Sequence, residues 1–365
     1  MSDFLTELRR EVIDAHAAHA RRPGWRRFLR AVRDGLRLPR LVAVAWVACL
    51  LVLVVTLGRL YEAPEQTSPH VVATLDVGGL PAGIAYAGGS IWVADASAKQ
   101  LVRIDPDQRR VRDRIDLPGQ PYAVAAGPGG ELWVRSAGPS GDATVLTHVD
   151  PLTGDVIRRV PAGPDAPLAV TGDAAWVAVW ATDDNVPREG LYRVDSSTSA
   201  SRRIGVPSVG SLAAGSRTVW ALRTNGELVS LDSPSGRVRH RFPRLITAAG
   251  TAAGAHALAG DDATAWALAT TPSGNGELVR VEGDAVASRR PLPSFTQPVL
   301  AVGRDALWTV ATDRSGDRYT LNRLDPGTAR PTSAVVIGTR PIALSVVGDE
   351  VWALGADGAV VVVQA

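Results

Sequence analysis

Cysteine is almost absent from this chain. Of 365 residues only Cys49 is one, and it lies inside an uninterrupted apolar run. The remainder can therefore form no disulfide, no thiolate metal site and no cysteine nucleophile. Lysine is equally scarce, since Lys99 stands alone among 39 basic residues. Histidine is limited to six, of which His70, His148, His240 and His256 lie beyond the N-terminal region. No phosphate-cradling glycine loop, nucleophile elbow or zinc-ligand cluster occurs, which removes the enzyme classes that carry a local signature.

Charge is present but lopsided. The formal net charge is +2, yet residues 1–40 hold ten arginines against five acids, and Arg59 follows. That region carries +6, so the rest of the chain carries −4. A mildly acidic remainder argues against nucleic acid as its partner.

Residues 41–58 form eighteen positions without a charge, from Leu41 to Gly58. As a helix rising 1.5 Å per residue they would span roughly 27 Å, enough for a bilayer core. We read 41–59 as a transmembrane helix rather than a cleaved signal peptide. The forty residues before it are too long for a signal n-region, and no Ala-x-Ala site precedes Tyr61-Glu62-Ala63. Basic residues flank it on the N-terminal side, which places residues 1–40 in the cytoplasm and the rest outside. Within that tail, Trp25, Phe28, Leu29, Val32 and Leu36 share a helical face with arginines around them, as in a helix lying among anionic headgroups. Residues 25–59 are thus expected to engage the membrane. An earlier helical stretch, with Phe4, Leu5, Leu8, Val12 and Ile13 on one face and Pro23-Gly24 at its end, makes residues 1–24 the candidate contact for a cytoplasmic partner. Residues 60–69 read as a linker.

Seven tryptophans then recur at near-equal intervals: Trp92, Trp133, Trp176, Trp220, Trp266, Trp308 and Trp352. Each stands in a phrase such as Ser-Ile-Trp-Val-Ala (90–94) or Glu-Val-Trp-Ala-Leu (350–354). A period of about 40–45 residues with several short strands per unit is the signature of a β-propeller blade. Residues 70–365 are therefore predicted to be an all-β, seven-bladed β-propeller. In the unit 121–160, Pro-Tyr-Ala-Val-Ala-Ala-Gly is the small-residue innermost strand and Glu-Leu-Trp-Val-Arg the second. Val145–Asp150 is the third strand and Asp155–Val160 the outer one. An acid closes the third strand at Asp105, Asp150, Asp195, Asp232, Glu282 and Asp325. Carboxylates just before a turn accept backbone N–H groups, so these are read as turn-makers rather than ligands. The seventh unit runs to Gln364 without an outer strand, whereas residues 70–77 read as an outer strand with no blade before it. The two are expected to combine and close the ring.

The phrases Trp-Val-Ala (92–94), Leu-Val-Arg-Ile-Asp-Pro (101–106) and Ile-Asp-Leu-Pro-Gly-Gln-Pro (115–121) resemble the YVTN-type β-propeller repeats of bacterial surface and periplasmic proteins. More loosely they resemble the propeller superfamily that contains streptogramin B lyase. Residues 226–242 also resemble the quinoprotein-like repeat, but without its recurring aromatic docking pattern, so no cofactor is inferred. The lyase resemblance implies a metal-dependent lyase or hydrolase built from histidines and a carboxylate near the axis. Of the four histidines only His256 falls on an innermost strand, which is one residue and not an acid–base constellation. No catalytic or metal-ligating residue is therefore assigned.

A non-catalytic recognition or scaffold module for an envelope protein, glycan or small ligand is the function this reading favours. Propeller loops between second and third strands share a face with the blade-to-blade linkers, and long irregular loops on rigid scaffolds are where binding concentrates. The candidate ligand-binding residues are Trp180, Asp183, Asp184, Asn185, Arg188 and Glu189 in one loop. Asp313, Arg314, Asp317, Arg318 and Tyr319 form the second group.

Overall fold

Period-two alternation of apolar and polar residues, broken by Gly-Gly, Asp-Pro and Gly-Asp pairs, dictates short strands joined by tight turns. The computed structural model describes residues 68–138, 144–162, 167–179, 189–246, 256–270, 276–292, 298–313 and 315–365. The predicted tail, the membrane helix and all of the linker except residues 68 and 69 lie outside these. Among the described residues no helix is long and apolar enough to cross a membrane. Thr67–Ala365 forms one compact unit.

β1 (His70–Asp76) belongs to the last blade. Blade 1 follows with β2 (Pro81–Ala87), β3 (Ser90–Asp95), β4 (Gln100–Asp105) and β5 (Arg110–Asp116). Blade 2 holds β6 (Pro121–Ala126), β7 (Leu132–Ala137), β8 (Thr144–Val149) and β9 (Val156–Ala162). Blade 3 has β10 (Leu168–Val170), β11 (Ala174–Val179), β12 (Gly190–Asp195) and β13 (Ser201–Ile204). Blade 4 has β14 (Val209–Ala214), β15 (Thr218–Arg223), β16 (Leu228–Asp232) and β17 (Val238–Phe242). Blade 5 has β18 (His256–Gly260), β19 (Thr264–Thr270), β20 (Gly276–Glu282) and β21 (Ala285–Leu292). Blade 6 has β22 (Leu300–Val302), β23 (Leu307–Thr312), β24 (Tyr319–Leu324) and β25 (Pro331–Ile337). Blade 7 has β26 (Pro341–Val347), β27 (Glu350–Gly355) and β28 (Ala359–Gln364), and β1 adds its fourth strand antiparallel to β28, His70 opposite Gln364. The fold is a seven-bladed β-propeller.

The repeated tryptophans seal each blade against the next. Trp92 shares an apolar cluster with Leu132, Val134 and Val149 of blade 2, and Trp220 one with Ala265, Val279 and Val281 of blade 5. Trp352 shares one with Ile84, Ile91 and Val102 of blade 1, which completes the circle. All seven indoles are at least 96% buried. Burying an indole of that size contributes roughly 5 kcal/mol of apolar transfer, before conformational entropy is subtracted.

The third-to-outer turns have one design in five blades. The Asp150 carboxylate accepts the N–H groups of Leu152 (2.8 Å) and Thr153 (3.3 Å). Asp325 accepts from Thr328 N–H and its hydroxyl, both at 2.6 Å, and Asp105, Asp195 and Asp232 act likewise. The fourth residue after the aspartate then turns left-handed: Arg109, Gly154, Ser199, Gly236 and Ala329 all have positive φ. Glu282 departs from the expected role. Its strand turns through the two residues Gly283-Asp284, and its carboxylate pairs with Arg280 at 2.8 Å instead. A two-residue hairpin needs no carboxylate to satisfy its N–H groups.

Candidate functional site

The axis is the natural first place for chemistry in a propeller. The seven innermost strands read PAGIAYA, PYAVAA, LAV, VGSLAA, HALAG, LAV and PIALSVV. They contain no Asp, Glu, Lys or Arg, and His256 is their single histidine. Small and apolar residues dominate because seven strands must crowd one axis. Among the described residues no three His, Cys, Asp or Glu side chains lie close enough to hold a metal. Among the described residues the innermost strands bring together neither a general base with an orienting partner nor a ligand set.

Buried polar chemistry lies between the blades instead. Where blade 3 meets blade 4, Ser233 donates to Asp173 Oδ1 (2.7 Å) and receives the indole N–H of Trp176 (3.1 Å). The Thr171 hydroxyl lies 2.8 Å from both Ser233 Oγ and Asp173 Oδ1. Arg193 completes the cluster through Asp173 Oδ2 (2.6 Å), the Ser233 carbonyl (2.9 Å) and Asp195 (3.3 Å). Burial alone would raise the Asp173 pKa, but the hydrogen bonds from Ser233, Arg193 and Thr171 outweigh it and hold the carboxyl below its ordinary value. A serine beside an aspartate invites a nucleophile reading. Ser233 is wholly buried and no histidine touches it, so the cluster pins two blades together. Asp262 does the same for blades 4 and 5 by accepting the N–H groups of Arg217 (2.7 Å) and Thr218 (2.9 Å).

Register explains why Arg193 stands there. The residue opposite the blade tryptophan on the third strand is Arg103, Arg193, Arg280 or Arg323 in four blades. Arg103 sits over Trp92 at 5.2 Å and reaches the Leu152 carbonyl of blade 2 at 2.9 Å. In blade 2 the same position is His148, stacked flat on Trp133 with centroids 4.5 Å apart. Burial, reinforced by Arg158, pushes the His148 pKa down, and Asp150 opposes this. Sequence reading missed these arginines. Aligning the seven tryptophan phrases and counting across the turn to the third strand would have found them.

The candidate loop residues fare unevenly. Trp180, Asp183, Asp184, Asn185, Arg188 and Arg314 lie outside the described residues. Asp313 folds its own loop: its Oδ1 accepts from the Ser315 hydroxyl (2.8 Å) and the N–H groups of Gly316 (2.9 Å), Asp317 (3.2 Å) and Arg318 (3.3 Å). The Ser315 hydroxyl chiefly holds its pKa low against the opposing effect of desolvation, and those N–H groups add to the lowering. Glu189 is similarly occupied by the Ser208 N–H (2.9 Å) and hydroxyl (2.7 Å). Asp317 and Arg318 are exposed, and Tyr319 is half-buried against the core between blades 6 and 7. The Asp317 and Arg318 side chains are thus exposed, whereas the Asp313 carboxylate accepts hydrogen bonds within its own loop and the Glu189 carboxylate accepts them from Ser208. On the opposite face, a recess of about 450 Å³ opens between blades 7 and 1, lined by Tyr86, Asp107, Arg109 and Glu350. Its guanidinium is engaged by Glu350 at 2.7 Å, which also accepts the Trp352 indole N–H at 3.1 Å.

No family model and no curated protein matches the chain. Solved structures do. A chain of hydrazine synthase from Kuenenia stuttgartiensis matches with a TM-score of 0.60 and 16% identity, covering 84% of this chain and 99% of its own. Virginiamycin B lyase from Staphylococcus aureus matches with 0.58 and 14%, covering 81% and 99%. BamB from Moraxella catarrhalis matches with 0.54 and 15%, covering 81% and 100%. What they share is the fold. At such identity the likeness carries no activity from those proteins to this one.

Proposed function

We propose that the protein is a membrane-anchored, extracytoplasmic recognition or scaffold module, without catalysis, for an envelope protein or glycan. Residues 41–59 span the bilayer with residues 1–40 in the cytoplasm, and the propeller faces outward, in keeping with the resemblance of its units to YVTN-type repeats. The observation that carries the non-catalytic part is the uncharged set of innermost strands, joined to the commitment of buried polar groups such as Asp173 and Ser233 to blade–blade pins. A rigid closed ring with its charge displaced to loops and rim suits binding rather than turnover. The test is metal content, together with thermal melts of the full chain in detergent with EDTA and with divalent ions, followed by affinity capture from envelope extracts. No metal, no shift in melting and recovery of an envelope component support the reading. A stoichiometric metal would point instead to the lyase-type reading centred on His256.

A further inference from the structure

The outer strands carry a charge pattern that the fold does not require. In blades 2 to 5, β9, β13, β17 and β21 each hold two arginines and no acid: Arg158 with Arg159, Arg202 with Arg203, Arg239 with Arg241, Arg289 with Arg290. In blades 6 and 7 the equivalent strands, β25 and β1, carry no arginine at all. Seven of the eight guanidinium-bearing residues are exposed and Arg290 is half-exposed. The contrast arises within a region whose net charge is acidic, so composition alone does not produce it.

Local contacts account for the positions of these arginines but do not neutralise the row. Arg202 donates to the Ser235 carbonyl of blade 4 (2.6 Å) and Arg290 to the Thr328 carbonyl of blade 6 (2.9 Å), which leaves both charges standing. Arg203 likewise donates to the Glu189 carbonyl. Arg239 and Arg289 pair with Asp232 and Glu277 on third strands and Arg241 with Glu227 just before one, so those blades are partly balanced. The result is an arc of guanidinium groups following the circumference from blade to blade. Exposed aliphatic side chains stand beside them: Ile157 is 48% exposed, Val238 37% and Val286 43%.

We propose that this arc binds a linear, carboxylate-bearing polysaccharide. Guanidinium forks match carboxylates bidentately, and a flexible linear polymer can follow a convex rim across four blades. A flat membrane surface could meet only one or two blades of such a curve. Single-stranded nucleic acid is bound on aromatic platforms, and the only Phe, Tyr or Trp on these four strands is Phe242, which is buried. Polyphosphate has no apolar face to set against Ile157, Val238 and Val286, whereas a pyranose ring has one. This inference rests on the recognition reading above and names its ligand class and its surface.

The experiment uses the full chain in detergent and polygalacturonate as probe, with binding read by biolayer interferometry from 20 to 300 mM salt. Variant R159Q/R202Q/R239Q/R289Q takes one arginine from each of the four blades. Variant R304Q/R330Q/R340Q removes three charges from exposed positions of blade 6 and of the linker to blade 7, none of them among the candidate loop residues. The basic tail is common to all three proteins, so differences report the propeller. Both variants are first checked for an unchanged melt. A loss of affinity of tenfold or more in the first variant only, with a steep salt dependence in the wild type, supports the arc. Should the first variant melt early, protection of β9, β13, β17 and β21 from hydrogen exchange in wild-type protein with polygalacturonate gives the same answer. Equal losses in both variants, or no binding at low salt, overturn it. Equal or better binding of single-stranded DNA, polyphosphate or anionic vesicles, lost with the same four arginines, overturns the polysaccharide assignment. Capture of an envelope component by the first variant as well as by wild type would sink the arc while leaving the recognition function intact.

Discussion

Replacing Ser233 by alanine should destabilise the propeller out of proportion to the single oxygen removed. The hydroxyl is wholly buried and has one proton, which goes to Asp173 at 2.7 Å. Its lone pairs receive the Trp176 indole N–H at 3.1 Å. Removing it takes away a hydrogen bond to a charged group, worth about 1.5–3 kcal/mol, and strands a buried N–H, a penalty of about 1–3 kcal/mol. Because Thr171 can turn its proton toward Asp173, part of the first loss is recovered, and the net is roughly 2–4 kcal/mol. In a domain this large each kcal/mol moves the melt by about 2–4 °C, so Ser233→Ala should lower it by roughly 4–16 °C. Asp173→Asn keeps the shape but removes the charge facing Arg193, and the double variant should lose less than the sum of the singles. The pH dependence follows. A carboxyl held below its ordinary value contributes stability that is complete above the unfolded pKa of 3.8 and is lost as pH falls through the folded one. Calorimetry from pH 7 to pH 3 on the four proteins would show a shallower acid limb in both single variants. A Ser233→Ala protein melting within about 1 °C of wild type at pH 7 would refute the pin, since propensity effects at a turn serine reach only a few tenths of a kcal/mol.

The third-to-outer turn supplies a pair of opposite outcomes at one position. Ser199→Gly relieves a residue at φ 63° and should stabilise by roughly 0.5–1 kcal/mol, whereas Gly154→Ala, whose new Cβ would sit 2.6 Å from Ile115 Cδ1, should destabilise by about 1–3 kcal/mol in chemical denaturation. His148 is kept neutral by burial and by Arg158, so the folded pKa lies below the unfolded one near 6.5. Stability is therefore full above that value and declines as pH falls below it, and His148→Gln should lose this dependence between pH 7 and 5 by urea titration. Removing residues 70–77 exposes the β28 edge and should replace one cooperative melt by an early, broad transition with aggregation, whereas an unchanged melt would show that β1 contributes nothing to closure.

Blade number was legible because each unit must bury one large side chain against its neighbour, and Trp92 through Trp352 mark that place seven times. The turn aspartates were legible for a similar reason. Asp-Pro at 105, 150 and 325 is local chemistry, settled within four residues of chain. Glu282 misled because a glutamate can end a strand without capping it when Gly283-Asp284 already makes a two-residue hairpin. The polar pins were not legible, since Asp173 and Ser233 are sixty residues apart and meet only through the packing of blade 3 on blade 4. Asp313 looked like a free loop carboxylate because sequence shows a charge in a loop and not the three N–H groups folded around it.

The strand pairing of His70 with Gln364 also sets a timetable. The two partners are made roughly 300 residues apart, and at 5–20 residues per second the first waits about 15–60 s for the second. Throughout that interval blade 1 stands without blade 7 against it, and Ile84, Ile91 and Val102 have no Trp352 to cover them. The ring therefore cannot be assembled as a row of finished blades; its last event is a long-range annealing that turns an open, sticky crescent into a circle. A chain held at that stage, for example by a lesion in β28, presents an apolar flank and an unpaired edge at once. The vulnerability of this protein lies in how late it closes and not in how firmly.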